Sequence, residues 1–236
     1  MKKANDQVYR HEIKYRINGG TYHILRQRFA AVMQPDAHAR NGMYRVTSLY
    51  FDDIYRTAYN DKVNGTLKRK KYRIRAYDLS PGLIHLEEKV KHGSVGYKKS
   101  TQITADEYRS ILSGNYGFLA DDKYADTSGG DMFASNSAVK LSPAVIVDYI
   151  REPFVFAAGN VRVTFDMKIS ACINGYDMFD SSNIYDNVMP DNDIVLEVKY
   201  DNFIPAHILQ MLTGINSMQE SVSKYILCSD RLYQSL

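Results

Sequence analysis

Apolar and charged residues alternate one by one through at least five segments of the chain. From Lys71 the sequence runs Lys-Tyr-Arg-Ile-Arg-Ala-Tyr, and after a Ser80-Pro81-Gly82 turn it runs Ile-His-Leu-Glu-Glu-Lys-Val-Lys. Successive side chains of a strand point to opposite faces, so Lys71, Arg73, Arg75 and Tyr77 share one face and Tyr72, Ile74 and Ala76 the other. In the partner segment His85, Glu87, Lys89 and Lys91 oppose Ile84, Leu86 and Val90, which predicts a hairpin with one ionic face. The same design recurs near the N-terminus, where Arg10, Glu12, Lys14 and Arg16 alternate with His11, Ile13, Tyr15 and Ile17. Downstream, Arg162, Thr164, Asp166 and Lys168 alternate with Val161, Val163, Phe165, Met167 and Ile169, and Val195, Glu197 and Lys199 with Ile194, Leu196, Val198 and Tyr200.

Between these segments the pattern predicts further strands over Val46 to Phe51, Tyr97 to Ile103 and Pro143 to Arg151. Helical spacing follows Asn18-Gly19-Gly20-Thr21, with Tyr22, Leu25, Phe29 and Val32 on one face. A short helical or turn segment is expected over Tyr55 to Asn64. The Thr104 to Glu107 spacing of a capping box predicts a helix from Ala105 to Leu112. Gly114 to Asn136, with Gly129-Gly130, is expected to be a mobile or helical excursion, and Ile173 to Asn192 a turn-rich connection. Pro205 begins a helix with Ile208, Leu209, Met211 and Leu212, and Ser221 to Leu232 a closing one. Many strands and few helices give an α+β class, mainly antiparallel β. The apolar set Val161, Val163, Phe165, Met167 and Ile169 is too large to leave in water, so a closed barrel is expected, with helices from residues 21, 105, 205 and 221 covering its outer face.

Length and composition narrow the picture. At 236 residues one large antiparallel barrel fills residues 1–236 as a single domain. Hydrophobic content of 44% and charge of 24% are those of an ordinary globular chain. No run approaches the length of a transmembrane helix, and Met1-Lys2-Lys3-Ala4-Asn5-Asp6 lacks the apolar core of a signal peptide, so the expected location is cytoplasmic. A net charge of +3 does not announce a nucleic-acid binder. Tyrosines such as Tyr15, Tyr72 and Tyr200 fall on apolar strand faces, where packing explains them at least as well as base stacking. Cys172 and Cys228 show neither metal-ligand spacing nor a disulfide framework, and the six histidines form no zinc pattern.

Placement of charge carries the chemistry. If the ionic faces line a barrel interior, Arg10, Lys14, Arg73, Arg75, Lys89, Arg151, Arg162 and Lys199 face only Glu12, Glu87, Asp166 and Glu197. Each desolvated cation costs several kcal/mol unless an anion meets it. A linear chain of phosphates suits the excess, because arginine forks match phosphate oxygens and lysines supply mobile point charges. Mg²⁺ or Mn²⁺ is held through one or two carboxylates plus phosphate oxygens and water, which Glu197 and Glu12 could supply; pairing with neighbouring lysines and arginines is the competing role for these acids and for Glu87.

Arg10-His-Glu12-Ile-Lys14-Tyr15, Ser48-Leu-Tyr50-Phe51-Asp52, Arg73-Ile-Arg75-Ala-Tyr77, Glu87-Glu-Lys89, Tyr149-Ile-Arg151, Val161-Arg162-Val163-Thr-Phe-Asp166, Leu196-Glu197-Val198-Lys199 and Ser223-Lys224-Tyr225 occur in this order. The ordered set, from about residue 8 to 230, resembles the VTC domain, the polyphosphate-polymerase domain of the vacuolar transporter chaperone complex and a relative of the CYTH-type phosphatases. The resemblance implies an eight-stranded triphosphate tunnel, a divalent metal (Mn²⁺ or Mg²⁺), and ATP or another nucleoside triphosphate, triphosphate or polyphosphate as ligand. It implies catalytic phosphate contacts from Lys14, Arg73, Arg75, Lys89, Arg162 and Lys199. Further phosphate contacts are expected from Arg151 and Lys224, with Arg10, Lys62 and Lys98 as additional basic candidates. Glu197 is the expected metal ligand, with Glu12 and Glu87 as further acids. Two departures stand out: Arg10 replaces the first acid of the Glu-x-Glu-x-Lys motif of CYTH enzymes, and Ser221 stands where a second basic residue near Lys224 is expected. The eukaryotic polymerase domain also lies between a phosphate-sensing domain and membrane helices, neither of which is in this sequence. Polymer synthesis, hydrolysis of triphosphate or polyphosphate, and binding without turnover all remain compatible with these residues.

Overall fold

Each alternating segment is a strand. In a computed structural model that describes residues 9–214 and 219–234, Arg10–Asn18 forms β1, Gln34–Pro35 β2, Tyr44–Asp52 β3, Lys68–Tyr77 β4, Ile84–His92 β5, Val95–Ile103 β6, Ser142–Phe156 β7, Val161–Cys172 β8, Tyr185–Asn187 β9 and Asp193–Tyr200 β10. The stretch Met1 to Asp6 lies outside the described residues. One antiparallel sheet runs in the order β2-β7-β3-β4-β5-β6-β1-β10-β8-β9, and a further β7–β8 pairing closes eight of its strands into a ring. The narrowest joint is β1–β6, where only Arg10 pairs with Gly96 and His11 with Val95. Beyond it the chain around Gln219 takes over: Tyr15 bridges Gln219, and the Glu220 amide donates to the Lys14 carbonyl at 3.0 Å.

Closing the ring turns the apolar faces outward, and helices cover them as expected on two sides. The helix α1 (Gly19–Ala30), capped by the Asn18 side chain on the Thr21 amide, lays Tyr22, Leu25 and Phe29 on Val163, Phe165, Leu196 and Val198, joined by Ile208 of α5 (Ala206–Met211). Fully burying each such side chain contributes about 1.5–3 kcal/mol. The capping box of α3 (Ala105–Leu112) forms with both of its hydrogen bonds, and Tyr108, Ile111 and Met132 cover Phe51, Ile74, Ile84 and Leu86 on the opposite side. Met132 belongs to α4 (Ser128–Val139), so the Gly-rich tract is helical in its second half. Its Gly129-Gly130 pair is required by close approach, since a Cβ on Gly130 would lie 2.5 Å from the Tyr124 carbonyl oxygen.

Several expectations change. Val32 lies beyond the end of α1 and is exposed, as is Leu209 of α5, while Met33 turns in. β7 runs on through Pro153 to Phe156 instead of stopping at Arg151, and the turn-rich connection after Cys172 contains β9. Lys168 leaves the ionic face: the β7–β8 register shifts beside it, Lys168 adopts a left-handed φ of 51°, and Ile169 rotates inward. The last helix, α6 (Lys224–Gln234), does not cover an outer face. Its Tyr225 and Cys228 pack with Tyr50, Val147, Tyr149, Ile169 and Val195, on the inner side of the ring. No helix among the described residues is long and apolar enough to cross a membrane.

Candidate functional site: a basic passage through the ring

Strand register brings the alternating charges onto one inner wall. Across β1 and β10, Glu12 stands opposite Lys199 and Lys14 opposite Glu197; across β4 and β5, Lys71 faces Lys89 and Arg73 faces Glu87; across β7 and β8, Arg151 faces Asp166. These residues enclose two chambers of about 590 and 690 Å³. Glu12, Arg73, Arg75, Lys89, Arg151 and Lys199 line both, so the chambers form one passage that meets at those six side chains. Eleven lysines and arginines line the first chamber against three glutamates, and counting Glu87 and Asp166 behind the wall still leaves six basic side chains over.

The carboxylates are wired to cations at short range. Lys14 Nζ lies 3.0 Å from Glu12 and 3.1 Å from Glu197, Lys89 reaches Glu12 at 2.8 Å, and Lys199 reaches Glu197 at 2.5 Å. Arg73 donates to Glu87 at 2.6 Å and to the Tyr50 hydroxyl at 2.9 Å, and Lys98 also pairs with Glu87. Arg151 grips Asp166 with two bonds of 2.7 and 2.8 Å, while Lys224 meets the same acid at 2.5 Å. Burial opposes the charge of Glu12, Glu197, Lys89 and Lys199. For Glu12 the lysines Lys14 and Lys89 outweigh it and hold the carboxyl well below the usual range, and Lys199 and Lys14 do the same for Glu197. Burial dominates for Lys89 and Lys199, whose pKa values are pulled down despite Glu12 and Glu197.

The structure gathers Lys14, Arg73, Arg75, Lys89, Arg151, Lys199 and the two acids Glu12 and Glu197 around the junction of the chambers, and Lys62 and Lys224 along the first. Lys62 arrives on α2 (Thr57–Val63) and hydrogen-bonds Ser221. Arg10, Lys98 and Arg162 line the second chamber only; Arg10 pairs with Asp201 at 2.8 Å and Arg162 with Asp36 at 2.7 Å. Sequence reasoning omitted Lys71, Lys91, Arg69, Tyr50, Tyr149 and Tyr225 from the site, although all six line the first chamber. The alternation that selects Arg73 and Arg75 also places Lys71 and Lys91 on the ionic faces, and Tyr149 on the face of Arg151; Tyr50 and Tyr225 fall in the ordered motifs, but a phenol suits either face and so does not by itself mark a site.

A divalent ion fits part of this acid set. Glu12 and Glu197 share Lys14, and Glu12 Oε1 accepts no hydrogen bond although it is buried 3.0 Å from Lys14 Nζ, so a cation in place of that ammonium would find an acceptor there. Among the described residues no group of three or more His, Cys, Asp or Glu side chains could hold a metal by itself, so an ion here would need ligands beyond these carboxylates. Glu197 and Glu87 fit less well as they stand, since Lys199 and Lys14 occupy both oxygens of the first and Lys98 and Arg73 both oxygens of the second.

Comparison with known proteins agrees with this architecture. A plant protein from Hippeastrum, described as an adenylyl cyclase candidate with a dominant triphosphatase activity, is similar at a TM-score of 0.57 and 11% identity, over 94% of this chain and 96% of that one. An adenylate cyclase candidate from Bacillus halodurans is similar at 0.53 and 10% identity, over 91% and 95%. A protein from Pyrococcus horikoshii is similar at 0.50 and 13% identity, over 94% and 99%. At these identities the likeness is one of fold, the triphosphate tunnel fold. Among curated proteins no sequence matches. The family model described as VTC domain matches residues 9–233, nearly the whole length, and the chain is therefore a member of the VTC domain family.

Proposed function

We propose that the passage binds a linear chain of phosphates and transfers phosphoryl groups along it, lengthening polyphosphate from a nucleoside triphosphate such as ATP. The observation that carries this reading is the enclosed excess of basic groups, six lysine and arginine side chains beyond the available acids in one chamber. Such a surplus suits phosphate oxygens spaced along a chain, and membership of the VTC family points to the same ligand.

Phosphoryl transfer asks for alignment and charge neutralisation more than for a nucleophilic side chain. An oxygen of the acceptor phosphate bonds to the terminal phosphorus of the donor; the bond to the bridging oxygen breaks, and the nucleoside diphosphate leaves with its electron pair. Arg73 and Arg75, positioned by Glu87, Tyr50 and Ser48, present fixed guanidinium edges to the charge that spreads over the transferred group. Lys14, Lys89 and Lys199 exchange their bonds to Glu12 and Glu197 for phosphate oxygens. A divalent ion held by those two glutamates would supply further neutralisation of the same oxygens. The second chamber continues the basic wall and would accommodate the remainder of the polymer.

Water in place of the acceptor phosphate gives hydrolysis, the activity named for the Hippeastrum neighbour. Incubation of purified protein with ATP and Mn²⁺ separates these outcomes. The expected product is polymer resolvable by gel electrophoresis; orthophosphate without polymer would establish the hydrolase instead, and tight tripolyphosphate binding without turnover a binding module.

A further inference from the structure

The motif Ser48-Leu-Tyr50-Phe51-Asp52 is only partly used by the passage. Ser48 accepts from Arg75 Nε at 3.0 Å and Tyr50 from Arg73, but Asp52, which is buried, lines neither chamber. Its carboxylate is nevertheless fully engaged. Oδ1 accepts from the amides of Asp53 at 3.0 Å and Ala58 at 2.9 Å; Oδ2 accepts from the amide of Tyr59 at 3.0 Å and from the Tyr225 hydroxyl at 2.6 Å. Two of these amides open α2, whose N-cap residue Arg56 provides no side-chain cap of its own. One acid therefore fastens two separate elements to the end of β3: α2, which carries Lys62, and the start of α6, which carries Lys224 and Tyr225.

Tyr225 extends the connection into the basic wall. Its ring stacks on Tyr50 at 5.1 Å with an interplanar angle of 28°, and Lys71 Nζ lies 4.4 Å from its centroid. Tyr50 in turn accepts from Arg73, while the adjacent Lys224 bonds Asp166. Displacing the Tyr225 ring would move the surface on which Lys71 rests and loosen the first turn of α6.

We infer that Asp52 is a positioning residue: without touching phosphate, it fixes Lys62, Lys71 and Lys224 relative to Arg73 and thereby sets how tightly the first chamber holds a phosphate chain. The inference rests on the phosphate-binding reading above.

Tyr225→Phe removes the hydroxyl bond to Asp52 while retaining the ring stack and the amide bonds that hold α2. Calorimetric titration with tripolyphosphate is expected to show a three- to tenfold weaker Kd, about 0.7–1.4 kcal/mol of lost affinity. KM for triphosphate turnover rises in step, while kcat stays within twofold and the melting temperature within a few degrees. Asp52→Asn, which also weakens the amide bonds that hold α2, is expected to weaken binding further, and the double variant to bind no worse than Asp52→Asn, because the one bond removed by Tyr225→Phe is among those that Asp52→Asn already disrupts. Wild-type protein that does not bind tripolyphosphate overturns both the phosphate reading and this inference. Wild-type binding with an unchanged Kd in Tyr225→Phe, fully additive losses in the double variant, or a fall in kcat at constant KM overturns this inference alone.

Discussion

Lys71 is a buried amine with cations around it. Burial pulls its pKa down first and Lys89, Lys62 and Lys14 lower it further, while Asp52 offsets only part, so the ammonium titrates at about 6. Its remaining neighbour is the face of Tyr225, which attracts an ammonium only weakly by comparison. The folded-state value lies below the unfolded one of about 10.4, so this group's contribution to empty-protein stability increases as pH rises from about 6 toward 10 and is constant below 6. Phosphate oxygens reverse the balance by favouring the charged form, so occupancy of the first chamber draws a proton onto Lys71. Titration with tripolyphosphate at pH 7.5 in two buffers of different ionisation heat should therefore show more proton uptake by wild-type protein than by Lys71→Met, with a difference approaching one proton. Equal uptake would remove this account of Lys71. Its inward face follows directly from strand alternation, as do those of Lys14, Arg73 and Lys199. Its isolation does not: Lys14 of β1 and Tyr225 of α6, which help define its surroundings, are brought near only by the closed ring.

Strands carried most of the legible information, and irregular joints most of what was hidden. Period-two alternation is a local property, so β1, β4, β5, β8 and β10 could be read directly, as could the capped helix α3. The bulge at Lys168 and the inward seating of α6 depend on closure: β8 must bend to pair with both β7 and β10, and the apolar inner surface left near Ile169 is filled by Tyr225 and Cys228. Asp166 joins these elements, being fully buried between Arg151 of β7 and Lys224 of α6. Burial raises its pKa, but Arg151 and Lys224 more than compensate and bring it to about 2. An acid depressed below its unfolded value of about 3.9 contributes stability above that pH and loses it as pH falls toward 2. Asp166→Ala leaves two buried cations without their acid and should destabilise the protein by about 3–5 kcal/mol at pH 7. Urea denaturation should show this difference, and it should narrow at pH 2 to 3; a difference that persists undiminished in acid would assign the effect to lost packing instead.

The two ends of the passage are electrostatically unequal. Every basic side chain lining only the second chamber already has an acid: Arg10 has Asp201, Arg162 has Asp36, Lys98 has Glu87 and Lys99 has Asp131. In the first chamber Lys62 bonds a serine hydroxyl, Arg69 a backbone carbonyl and Lys71 a tyrosine face, and among the described residues none of the three has a carboxylate within ion-pair distance. The uncompensated charge is therefore concentrated at one mouth, between α2, β4 and the chain around Ser221. A phosphate chain entering from that side gains attraction without first displacing an acid; at the other side each new contact must compete with an existing pair. The triphosphate is accordingly expected to be held in the first chamber and the shared middle, with the second chamber serving as a looser channel. Hydrogen bonds involving a charged partner are worth about 1.5–3 kcal/mol, so Lys62→Met should weaken tripolyphosphate binding roughly ten- to a hundredfold. For Lys98→Met the loss should be less than about threefold, because Glu87 keeps Arg73 and the phosphate loses only a cation that was already engaged. Both titrations belong at one fixed ionic strength, since screening weakens exposed contacts at the mouth more than buried ones. A larger loss from Lys98→Met than from Lys62→Met would place the grip at the opposite end and reverse the direction in which the chain is held.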